Sequence, residues 1–187
     1  MTTRGKGVPE PTTQAILRHW REAVPDDRLA HLVRDAARGL TRALQLRLAE
    51  HSVSFGHWIF LRVLWERDGI TQRDLSEEAG LMEPTTHSAL QRMEALGYIE
   101  RRQLAGNRKK LFIFLTDRGK ALRDVLVPLA EEVNRVAVGD TSPQLIEATR
   151  RTLLAMIQNL ADDEARALDG GRRMPSTRDL GRGSRGR

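Results

Sequence analysis

The sequence predicts a mainly α-helical fold with a small β wing: a winged helix-turn-helix domain flanked by further helices. Three observations predict it. Leu and Ala dominate a composition that is 40% hydrophobic but only 4% aromatic, which favours helices. A short helix signal, a tight turn at Gly80-Leu81-Met82 and a second helix signal follow one another in helix-turn-helix proportions. Two strand-like runs, "YIERRQL" and "KKLFIFL", stand around Ala105-Gly106-Asn107 directly after that second helix.

Taken in order, residues 1–25 hold Gly, Pro and Thr with little periodicity before "AILRHW". They read as a flexible, mostly disordered arm that leaves room for a short helix. Asp26-Asp27 after Pro25 can cap a first helix over about 27–51. Leu29, Leu32, Val33, Ala36, Leu40, Ala43, Leu44 and Leu48 give it one apolar stripe. Ser54 can cap a second helix containing Trp58, Ile59, Leu61, Leu64 and Trp65, ended by Gly69. Thr71 with Asp74 three residues on is a capping-box-like start for a short third helix that Gly80 stops. Pro84 suits the first turn of a fourth helix, and Gly97 sits just past its end. After a two-stranded hairpin, Thr116 can cap a fifth helix that Pro128 should kink. Ser142-Pro143 opens a sixth, with Leu145, Ile146, Leu153, Ile157 and Leu160 apolar. Residues 165–187 read as a disordered Arg-rich tail.

The charge is uneven. The net charge is +6, of which residues 165–187 hold +5 and residues 1–24 hold +2, leaving 25–164 near −1. Within that neutral body, "ERRQLAGNRKKLF" (100–112) carries five cations and one acid. A basic strip on a neutral body suggests a polyanionic partner, with a solvated charged face as the alternative. The absence of cysteine excludes disulfides, thiol catalysis and Cys-ligated zinc. His51 and His57 are six apart, which is not the spacing of a helical metal pair. No metal or other cofactor is expected. No apolar run approaches the about 18 residues of a membrane span, and the N-terminus has no secretory apolar region, so a cytoplasmic location is expected. "GRGSRG" (181–186) matches a nucleotide-binding glycine pattern by letter, but no strand precedes it and no helix follows. G-x-S-x-G, H-E-x-x-H and phosphate-loop motifs are absent, and a non-enzyme is expected.

The stretch from Ser54 to Gly119 resembles the MarR family of bacterial winged-helix regulators. Leu75 to Gly80, "EPTTHSALQRMEALGYIERR" and "NRKKLFIFLTDRG" carry the resemblance, and the run Thr71–Gly119 is its most specific part. The order of helices on both sides matches too, so the likeness covers roughly 27–162. Where the family's wing usually carries Asp-Arg, this chain has Asn107-Arg108. The resemblance implies a dimerisation helix over 26–53, a winged helix-turn-helix DNA-binding domain over 54–119 and C-terminal dimerisation helices over 120–164. It also implies a homodimer on a pseudo-palindromic double-stranded operator, released by a small ligand, often an aromatic acid.

On a helical wheel, Thr86, Ala89, Leu90, Met93 and Leu96 fall on one side of the fourth helix and read as core. Pro84, His87, Ser88 and Gln91 fall opposite, with Thr85 and Arg92 on the flanks. That side presents the donors and acceptors a major groove needs, with Gln suited to adenine and Arg to guanine. Thr71, Gln72 and Arg73 open the preceding helix, where backbone N–H groups and Arg73 can hold a phosphate. Residues 84–88, Thr86 included, together with 71–73, 91 and 92, form the expected contact set. In the hairpin, Leu111, Ile113 and Leu115 are expected to pack inward. The projecting tip places Arg108, beside Asn107, at a minor groove. Lys109, Lys110, Arg101 and Arg102 then reach phosphates.

For a ligand, the junction of the first two long helices offers His51, Ser54, His57, Trp58, Leu61 and Arg62, an apolar wall with polar and cationic groups that suits an aromatic carboxylate. Arg38 and Arg42, one turn apart, offer another anion anchor. The competing reading is a winged-helix module for non-specific nucleic-acid or protein contacts without an effector.

Overall fold

The computed structural model describes residues 12–22, 29–104 and 107–172, without the side chains of Glu22 and 107–109. The elements are α1 (Thr12–Glu22), α2 (Leu29–Ala49), α3 (Phe55–Glu66), β1 (Ile70–Thr71), α4 (Gln72–Ala79), α5 (Glu83–Ala95), β2 (Ile99–Leu104), β3 (Asn107–Leu115), α6 (Asp117–Val138) and α7 (Pro143–Asp169). The chain divides into two units, Met1–Ala137 and Val138–Arg187.

The core of the first unit forms around α3, which is apolar on nearly every side. Trp58, Phe60, Leu61 and Leu64 are buried in it, and Leu48, Leu75, Leu90, Met93, Tyr98, Ile113 and Leu126 are among the residues that share the cluster. Ser54 caps α3 as expected, its hydroxyl accepting the His57 N–H at 3.1 Å. The last β-strand turns into α6 at Thr116, whose hydroxyl donates to the Gly97 carbonyl at 2.6 Å and accepts the Gly119 N–H at 3.1 Å. A Cβ at Gly119 would stand 2.0 Å from the Tyr98 carbonyl oxygen, so only glycine permits this approach.

The sheet has three strands in the order β1-β3-β2, all antiparallel, with Ile70 opposite Ile113 and Arg102 opposite Phe112. The sequence predicts only the β2–β3 hairpin. A two-residue strand offers no alternation to read, and β1 exists because Ile113 gives Ile70 a buried partner. Ile113 and Leu115 are buried as expected, but Leu111 is exposed, since it lies out along the wing beyond the core.

Three further expectations need correction or bounding. Residues 12–22 of the expected arm form α1, whose Ile16 and Trp20 are half-buried one turn apart. The indole N–H of Trp20 donates to Asp35 of α2 at 3.2 Å, giving this short helix a tertiary anchor that periodicity does not reveal. α2 starts at Leu29, and the expected Asp26-Asp27 cap lies outside the described residues. α6 is assigned as one helix through Pro128.

The second unit is built on α7. Ser142 caps it, accepting the Leu145 N–H at 3.4 Å. The helix runs on to Asp169, five residues into the expected tail, because Ala165, Ala167 and Leu168 are good helix formers and the first break comes at Gly170-Gly171. The remainder of that tail, 173–187, lies outside the described residues. No residue of α7 is buried.

Candidate nucleic-acid interface

The two-faced reading of α5 holds residue by residue. Leu90 and Met93 are fully buried, while Ala89 and Leu96 are half-buried. Pro84, Thr85, His87, Ser88, Gln91 and Arg92 are all exposed. Thr86 is the exception within the expected contact set. It is fully buried, and its hydroxyl donates to the Met82 carbonyl at 3.2 Å and lies 2.8 Å from the Ser76 hydroxyl. Ser76 in turn donates to the Leu81 carbonyl at 2.8 Å. These two hydroxyls therefore satisfy the buried backbone of the turn between α4 and α5. Gly80 supplies the left-handed residue at φ 64° that the turn requires. Thr86 fixes the angle of the helix pair and is not available to DNA.

The start of α4 is capped by its own side chains. Thr71 is the N-cap: its hydroxyl accepts the Asp74 N–H at 3.2 Å and donates to the Asp74 carboxylate at 2.7 Å. The Thr71 hydroxyl holds the Asp74 carboxyl below the usual range, with the nearby Lys110 and Arg67 charges acting the same way. Gln72 lies against α5, its side-chain oxygen 3.4 Å from His87 Nδ1, so the two helices present one continuous polar surface. Arg73 is exposed and pairs with Glu77 at 2.9 Å, an exposed pair that a phosphate can displace.

On the wing the basic residues divide into two roles. Arg101 is expected at a phosphate, but its guanidinium is held by the Glu94 carboxylate through both Nε, at 2.9 Å, and Nη2. This pair straps the wing strand β2 to α5. Arg101 keeps the Glu94 carboxyl below its ordinary value. Glu94 lies on α5 and Arg101 on β2, across a turn, so the periodicity of neither element reveals the pair. Arg102 is exposed, stacks its guanidinium 4.2 Å from the Phe114 ring and reaches Glu100 at 3.0 Å. Lys110 is exposed. The expected positions of Asn107, Arg108 and Lys109 fall on side chains outside the described residues.

The expected ligand residues do not converge on one pocket. Arg38 and Arg42 line a cleft of about 530 Å³ between α1 and α2. Trp58 and Arg62 line a separate cleft of about 510 Å³ beside α4, with the Arg62 guanidinium 5.9 Å from the Trp58 ring. His51 and Ser54 are exposed and line neither cleft, and the Ser54 hydroxyl is engaged as the α3 cap. Leu61 is fully buried and belongs to the core rather than to a binding wall. His57 is buried edge-on against Tyr98, and its Nδ1 has no hydrogen-bond partner among the described residues. Burial first, and the Arg92 charge second, push the His57 pKa below its ordinary value. Among the described residues no group of three or more His, Asp or Glu could hold a metal ion, and no helix is long and apolar enough to cross a membrane.

The model of the MarR family matches residues 51–110, the span from the α2–α3 junction to the wing. The HTH-type transcriptional regulator TtmR of Methylorubrum extorquens is 30% identical over 138 residues, covering 74% of this chain and 68% of TtmR. The homoprotocatechuate degradative operon repressor of Escherichia coli is 30% identical over 102 residues, 54% of this chain and 67% of the repressor. A MarR family regulator of Listeria monocytogenes, solved in complex with 26mer DNA, shares the fold at a TM-score of 0.64 and 24% identity, covering 81% of this chain and 99% of that one. The buried side of α5, its exposed polar side and the wing beside it are thus the parts of a winged helix-turn-helix, and the chain belongs to the MarR family of DNA-binding transcriptional regulators.

Proposed function

We propose that this regulator is a homodimer that reads a pseudo-palindromic operator, represses transcription from it, and leaves it when a small aromatic acid binds. The exposed side of α5 carries the reading, because Ser88, Gln91 and Arg92 are all exposed there and bear donors and acceptors. Arg73, Arg102 and Lys110 serve as phosphate contacts, and Arg108 enters the minor groove. The dimer is supported by apolar surface in each unit. On α7, Leu153, Ile157 and Leu160 lie three and four residues apart with Ile157 65% exposed, and on α2 Leu29, Leu32 and Leu40 are exposed. Two such winged domains, related by a two-fold axis, would place their recognition helices on successive major-groove faces.

The repressor role and the aromatic-acid effector find support in the E. coli relative, a repressor of a homoprotocatechuate degradative operon. The regulator would act in the cytoplasm and carry out no chemistry of its own. A titration of the full chain against the DNA upstream of its own gene tests the reading. Specific binding should exceed binding to a random duplex by about 10³-fold or more, and log K should fall with log salt by about 0.9 per phosphate contacted. Equal binding to both duplexes at physiological salt overturns it.

A further inference from the structure

The cleft between α1 and α2 has a charge arrangement that the winged core does not explain. Arg34, Arg38 and Arg42 recur every four residues along α2 and line it together, so three arginines border one concavity. The acid at this site is Asp35, which is buried. Its carboxylate accepts the Trp20 indole N–H at 3.2 Å and Arg34 Nε at 3.2 Å, with Arg38 Nη1 at 3.6 Å. Asp35 is therefore shared among an indole and two arginines, and Arg42 pairs with no acid among the described residues. Positive charge is in excess there. The remaining wall is mixed: Ile16, Ala37 and Gly39 give it apolar surface, and Thr12, Thr13, Thr41 and Gln45 add polar groups. A Cβ at Gly39 would approach only Thr13, at 3.9 Å, so the floor of the cleft is open.

We propose that this cleft binds a small arylcarboxylate, with the carboxylate on the Arg38 and Arg42 guanidiniums and the ring against Ile16 and Ala37. Paired guanidinium forks match a carboxylate, and about 530 Å³ accommodates one aromatic ring system. The cleft also touches the winged domain. Gln45 lines it, and the Gln45 side-chain oxygen accepts the Phe55 N–H at 2.8 Å, at the first residue of α3. An occupant that engages the Gln45 amide acts directly on the start of the helix around which the winged core is built. This inference rests on the effector reading above and places the effector away from the Trp58–Arg62 cleft.

The indole N–H resonance of Trp20 in the full chain, assigned with Trp20→Phe, reports on the site. Benzoate and 1-naphthoate are titrated at constant ionic strength, with benzamide as the uncharged control. At least one acid should shift the resonance saturably with a Kd in the millimolar range or tighter. The Arg38→Ala, Arg42→Ala double variant should raise that Kd about tenfold or more, as loss of a charge-assisted pair requires, while keeping the Trp20 resonance that shows α1 still docked. Gly39→Leu, which fills the floor, should do the same, and Arg62→Ala should change the Kd less than about twofold. No saturation by either acid, or an unchanged Kd in the double variant, overturns the site. The same acids are then added to the promoter complex. If they release DNA equally from wild type and the double variant, the cleft is wrong and the effector reading stands. If they bind the cleft but release no DNA, the site stands and the effector reading fails.

Discussion

Helices α3 and α7 both begin at a serine cap and both carry large apolar side chains, yet their fates differ. Five of the twelve residues of α3 are buried, and four of these are large apolar side chains. None of the 27 residues of α7 is buried, although it carries Leu145, Leu153, Leu154, Ile157 and Leu160. Most of the apolar surface of α3 is covered by its own chain, by Leu75 of α4, Leu90 and Met93 of α5 and Ile113 of the sheet. The apolar surface of α7 stays open. Periodicity identifies a face that seeks cover, while only tertiary structure shows whether the same chain supplies it.

The largest effect that tests this contrast is at the centre of α3. Leu61→Ala should destabilise the protein by about 2–5 kcal/mol in chemical denaturation, because a fully buried leucine leaves a cavity that its rigid neighbours cannot close. The loss should be the same at all protein concentrations. A cost below about 1 kcal/mol would show that the α3 core is loosely packed and the contrast with α7 overstated.

The next effect belongs to α7. Ile157→Asp with Leu160→Asp should raise the dimer dissociation constant by about 100-fold or more in sedimentation experiments, since burying a carboxylate in an apolar contact costs several kcal/mol. Near-ultraviolet circular dichroism from Trp58 and Trp65, both in α3, should be unchanged. A variant that stays dimeric removes α7 from the interface.

How far the sequence reveals each region follows the same division. The faces of α5 are legible because a helix of thirteen residues with Leu90 and Met93 inward repeats its pattern more than three times. The capped starts at Ser54, Thr71 and Ser142 are legible because each rests on a side chain and a backbone N–H three residues on. Contacts between elements are not. Asp35 with Trp20, Glu94 with Arg101 and Gln45 with Phe55 each join two different elements, so no one element's periodicity connects them. Thr86 is a subtler case. Its place on the wheel is inward, but its hydroxyl suggests a base contact, and only the buried partner at Ser76 explains a polar side chain there. The ligand residues scatter because one apolar helix serves both core and cleft: Leu61 and Trp58 are three apart on α3, yet Leu61 faces inward and Trp58 also borders a cleft.

A smaller effect sharpens the picture of α3 as the central helix of the core. His57 is buried within it, and burial depresses its folded pKa below the ordinary value of 6.5. The unfolded chain therefore binds a proton at a higher pH than the folded one, so acidification favours unfolding. Stability from this group is complete above about pH 7 and is lost as the pH falls through 6.5 toward the folded value. The carboxyls of Asp35, Asp74, Glu94 and Glu132 are all held low by their partners, so their contributions persist to lower pH than that of His57. Urea unfolding should show stability rising with pH up to about 7. The slope should flatten in His57→Gln, and a slope that survives the substitution assigns the dependence elsewhere.

The smallest effect sets the two serine caps against each other. Ser54→Ala removes the acceptor for the His57 N–H and should cost about 1 kcal/mol of global stability, because α3 cannot fray without opening the core. Ser142→Ala removes a longer bond, 3.4 Å to the Leu145 N–H, at the start of a helix with no buried residue. Measured in the Ile157→Asp, Leu160→Asp monomer, it should change global stability by less than about 0.5 kcal/mol. It should instead speed amide exchange in the first turn of α7, where opening is local. Equal global costs for the two caps would mean that α7 unfolds together with the winged core even in the monomer. The open apolar stripe would then mark a helix already integral to the protomer, and the difference between the two helices would lie in exposure alone.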